Sequence, residues 1–250
     1  MAISKKNGKN GCLEEKITYA EFSDKLSKFQ PLISNLTGTR RLIFENDEEF
    51  RVLDKEEDFC PEKIIKEVAN SYDKRKEGAS DSLKKLYYAL EAVGRICTIC
   101  QAGAEIKGYS VFPIDDVLGC LKTLTKDINE FYEQSKLYSK IKSDELKPQL
   151  GVGLYVTAVG KRDTYSVLNV LDTFVSDKKF VTEYLSKSED ISAIKKSVDS
   201  LVSKLKNDFY NAHDFILEKL GSDEVTKEIL SNHIAEIKKE KEGKVPQGYA

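Results

Sequence analysis

One long amphipathic run constrains this chain more than any other stretch. Over residues 186–221 the apolar positions are Ile191, Ile194, Val198, Leu201, Val202, Leu205, Phe209, Ala212, Ile216 and Leu220. Their steps are mostly three and four, the period of a helix. Lys195, Lys196, Asp199, Lys206 and Asn207 fall between them as a polar face. Ser186 and Glu189 have the spacing of a capping box, in which each side chain satisfies a backbone group of the first turn. Gly221 suits the left-handed residue that ends a helix, and no Pro interrupts the run. The pattern predicts a helix over 189–220, about 48 Å long at 1.5 Å per residue. An apolar stripe of that length needs partner helices beside it, so the expected fold is an elongated bundle.

The rest of the chain supplies those partners. Phe22, Leu26 and Phe29 share a stripe that predicts a first helix over 18–29, stopped by Pro31. Pro61 suits the first turn of a helix carrying Ile64, Ile65, Val68 and Tyr72. Ser80 or Asp81 caps a longer one with Leu83, Leu86, Tyr87, Leu90, Val93, Cys97 and Cys100, expected to fade near Gly103. Pro113, Asp115 and Asp116 open the next, because acids suit the positive end of a helix. That helix carries Val117, Leu121, Leu124, Ile128, Phe131, Tyr132 and Tyr138 and is expected to reach about residue 141. Shorter helical patterns follow from Asp163, around Phe180, and from Val225 to Ile237.

Two stretches break the helical period. Residues 41–53 read as a small β-hairpin: Leu42, Ile43 and Phe44, a turn at Asn46 and Asp47, then Phe50, Val52 and Leu53. Residues 150–160 are apolar, β-branched and punctuated by Gly151, Gly153 and Gly160. Strand, helix and mobile segment all fit so short a run. The fold class is therefore all-α: a bundle of seven or eight helices with one small hairpin near 41–53. Residues 1–14 form a disordered arm, 15–242 a single helical domain and 243–250 a frayed tail. An alternative division falls at 143–150, around Pro148.

Composition bounds the function. At a net charge of -2 no global field draws the chain to nucleic acid or anionic lipid. Only six of the 40 basic residues are Arg (40, 41, 51, 75, 95 and 162), and Lys reads phosphate and bases less specifically than Arg does. The five cysteines, at 12, 60, 97, 100 and 120, are odd in number and fall mostly in helical patterns. That argues for free thiols in a reducing compartment. The start of the chain, rich in Lys, Asn and Gly, lacks the apolar core of a secretory signal, and no apolar run is long enough to span a membrane. The expected location is cytoplasmic or otherwise intracellular.

The chemical motifs are incomplete. Cys97 and Cys100 share a helical face and make half a zinc site at most, since no second pair exists. His213 and His233 are the only histidines. A di-iron bundle needs Glu three residues before each, and Tyr210 and Leu230 stand there. Gly160 and Lys161 resemble the end of a phosphate loop, but Tyr155 and Arg162 occupy the positions that need Gly and Ser or Thr. No cofactor, metal or catalytic residue is expected.

What remains is a surface. Glu45, Asp47, Glu48 and Glu49 begin an acidic cluster beside Arg40 and Arg41. Leu150, Gly151, Val152, Gly153, Leu154 and Tyr155 form an apolar, adaptable stretch. These twelve residues are the candidate interaction surface. The function expected is a non-enzymatic interaction protein, its partner another protein met through a helical face or the hairpin edge. The first alternative is a nucleic-acid-coating helical protein, suggested by Lys5, Lys6 and Lys9 and disfavoured by the few arginines. The second is a membrane-active bundle using 150–159. Homo-oligomers are compatible with each reading.

Overall fold

The computed structural model describes residues 17–43, 61–108, 112–143, 148–159, 166–183 and 188–211, with isolated positions 227, 228, 231 and 235. The expected arm and tail, residues 44–53 of the hairpin, both histidines and the long helix beyond 211 lie outside them.

Among the described residues the structure is helical, with no strand, and forms a multi-helix bundle. Helix α1 (Tyr19–Leu26) starts at a complete capping box. The Glu21 amide donates to Thr18 Oγ1 at 3.3 Å, and the Thr18 amide donates to Glu21 at 3.2 Å. These bonds hold the Glu21 carboxyl below its usual range. A 3-10 turn at Ser27–Phe29 leads into α2 (Gln30–Ile43). Pro31 thus does not stop the helical path. It falls in the first turn of α2, where its missing N–H removes no bond. Helix α2 also runs through 41–43, where the first hairpin strand was expected.

Helix α3 (Pro61–Gly78) begins at its proline as the sequence suggests. Helix α4 (Ser82–Lys107) is capped by Asp81, which accepts from the Leu83 amide at 3.0 Å. It does not fade at Gly103. It ends at Gly108, which lies at φ 82° and donates its N–H to Ala104 O at 2.9 Å. Gly103 instead allows a close approach: a Cβ there would lie 2.5 Å from the Phe112 ring.

Helix α5 (Ile114–Ser135) also departs from expectation. Lys136 adopts φ 49° and separates it from α6 (Leu137–Lys142). The Ser135 hydroxyl stabilises the break, donating to Tyr132 O at 2.8 Å and accepting from the Leu137 amide at 3.3 Å. The ambiguous glycine-rich stretch is helix α7 (Pro148–Val159). Then come α8 (Val167–Ser176), capped by Ser166, α9 (Lys178–Glu183), capped by Asp177, and α10 (Ser188–Asn211).

The centre is α4. Residues 89–94 are all buried in succession, and at 100° per residue they cover every side of the helix. Helices α1, α2, α3, α5 and α8 pack around it. By contrast α10 buries one stripe, Ile191, Ile194, Val198, Leu201 and Leu205, against α5, α7 and α8. Each such Leu or Ile contributes about 1.5–3 kcal/mol by leaving water. Residues on both sides of 143–150 enter one continuous core, with Leu154 and Tyr155 of α7 meeting Leu86 and Leu90 of α4 around a small apolar gap.

Candidate functional site

Helices α3 and α5 both pack on α4 and reach each other through polar side chains. The Tyr72 hydroxyl donates to Asp127 Oδ2 at 2.5 Å. Lys76 Nζ reaches the same carboxylate at 3.1 Å and Asp73 at 3.3 Å, and sits 4.8 Å from the centre of the Tyr72 ring. Nearer the start of both helices, Lys66 pairs with Asp116 at 3.7 Å. Between these contacts the helices leave a groove of about 490 Å³.

The helical period explains what faces it. From α3 come Ile65, Ala69 and Tyr72, spaced by four and three; from α5 come Asp116, Cys120 and Thr123 with the same spacing. Gly119 also lines the groove, and a Cβ built on it would meet nothing within 4 Å. Ile65 and Leu124 lie beneath the groove at 0% and 2% exposed, so Ala69, Gly119 and Cys120 form its accessible floor, while on the rim Asp73, Asp115 and Asp116 stand with Lys66, and Lys76 pairs with Asp73.

A second constellation joins α2, α3 and α4. Glu91, only 3% exposed, sits among three arginines. Arg95, one turn on, donates through NH2 at 2.7 Å and through Nε at 3.2 Å. Arg75 of α3 donates at 3.0 Å, and Arg40 of α2 approaches to 3.6 Å. The Arg75 guanidinium also lies 5.5 Å from the Tyr88 ring centre. Burial lowers the pKa of Arg95, opposed by the Glu91 charge. Three of the chain's six arginines thus converge on one buried carboxylate.

Comparison with known proteins leaves the geometry to speak for itself. No family model matches the chain, and no curated protein or solved structure matches it.

The reactive groups near these sites are quiet ones. Cys120 is half-buried in the groove, and burial followed by Asp116 and Asp73 raises its pKa, which disfavours the nucleophilic thiolate. Cys97 and Cys100 are free thiols inside the core, raised further by burial. No three His, Cys, Asp or Glu residues among the described ones are placed to hold a metal ion. No helix among them is long and apolar enough to cross a membrane.

The residues singled out from sequence are scattered. Arg40 joins the Glu91 cluster, and Arg41 lies in α2. Glu45, Asp47, Glu48 and Glu49 lie outside the described residues. In α7, Gly151 is buried, Leu150 and Gly153 are partly buried, and Val152 is part of the helix. Leu154 and Tyr155 are each 2% exposed, so they serve the core and offer no surface as the helix stands. Nearby, Thr39 of α2 and Thr157 of α7 bond hydroxyl to hydroxyl at 2.7 Å, tying α7 down from its far turn.

Sequence reading missed both constellations. Glu91 had one signal: a charge inside an apolar run with Arg95 at the i,i+4 position, the spacing of an ion pair. The groove had none, because it depends on how far apart two helices sit on a third.

Proposed function

We propose that the protein is a non-enzymatic macromolecular interaction protein, and that it engages another protein through a helical face, the groove between α3 and α5. The observation that supports this reading is the groove itself. It is an opening with an apolar floor, flanked by two helices of more than four turns, and lined by groups suited to recognition. Its thiol is suppressed, and across the gap Lys66 pairs with Asp116 while Tyr72 and Lys76 bond Asp127.

The test uses a substitution the fold accepts. Gly119 is exposed on α5 and a Cβ there meets nothing within 4 Å, so Gly119→Tyr adds bulk at the groove lining from a position where the backbone has room. Wild-type and Gly119→Tyr proteins are immobilised and exposed to extract from the source organism, and captured proteins are re-measured as purified pairs. A partner bound at least ~10-fold more weakly by the variant, about 1.4 kcal/mol, supports the reading. A partner held equally by both variants would place the docking surface elsewhere and overturn it.

A further inference from the structure

We draw no further inference here: the strongest candidate, the side-chain cluster of Arg40, Arg75 and Arg95 around Glu91 between α2, α3 and α4, belongs to the site already described, and each of its guanidinium groups is already engaged.

Discussion

Inside a helical core a thiol or a phenol becomes a liability at high pH. Cys97 and Cys100 are fully buried, and burial holds their pKa values above the ordinary range of a thiol. Burial, and then the bonds to Asp127 and Asp208, raise Tyr72 and Tyr132 in the same direction. Between the unfolded and folded pKa values the unfolded chain carries fewer protons, so stability falls as pH rises. The window opens near pH 8.5, the ordinary value for a thiol; Cys97 is expected to remove about 2 kcal/mol by pH 10, and Cys100 acts in the same direction. Urea midpoints at pH 7 and pH 10 under reducing conditions measure it. The Cys97→Ala, Cys100→Ala double variant should lose less on going to alkali, and an unchanged slope would reject the assignment. From sequence, the Cys-x-x-Cys spacing already placed both thiols on one helical face. Whether that face met a metal or other side chains depended on elements distant in the chain.

Helix ends and interruptions show what a local pattern carries. Asp81 and Pro61 mark helix starts through local chemistry and were legible, whereas the Thr18–Glu21 box, equally local, was read only as a helix beginning at residue 18. Pro31, Gly103 and the break at Lys136 were not legible, because their meaning is set by neighbours. Pro31 is tolerated through the preceding 3-10 turn, and Gly103 is fixed by Phe112, nine residues further along. Gly103→Ala should therefore cost about 1–3 kcal/mol from overpacking, against about 1 kcal/mol gained in helix propensity. Against a Phe112→Leu background the same substitution should become neutral or stabilising. Thermal denaturation of the four proteins closes the cycle, and a stabilising Gly103→Ala in the wild-type background would refute the steric account. The stretch 150–160 reads both ways because its period is short, and its resolution as α7 came from α2, α8 and α10 packing around it.

For the molecule as a whole, the sequence marked the right long helices but not their rank. The longest amphipathic run contains the one-sided α10, whereas α4, read with seven apolar positions against ten, became the hub. A buried helix is apolar on all faces and so has a weak periodic signal. The one charge on its fully enclosed segment, Glu91, is held by Arg40, Arg75 and Arg95 from α2, α3 and α4. Glu91→Gln leaves those guanidinium groups together without their shared carboxylate. It should destabilise the fold by about 3–5 kcal/mol, and Arg75→Gln added to it should cost less than Arg75→Gln alone. Chemical denaturation measures both, and a loss under about 1 kcal/mol would show that the cluster is peripheral to the fold.

The central position of α4 also orders events during synthesis. Its covering helices come from both directions along the chain: α1, α2 and α3 are made before it, whereas α5 and α8 are made after it. On the ribosome, α4 therefore emerges with one side sheltered and the other waiting for α8. At 5–20 residues per second that wait is on the order of several seconds. During it the nascent chain presents a half-clad apolar rod, a natural client for a chaperone that holds hydrophobic helices.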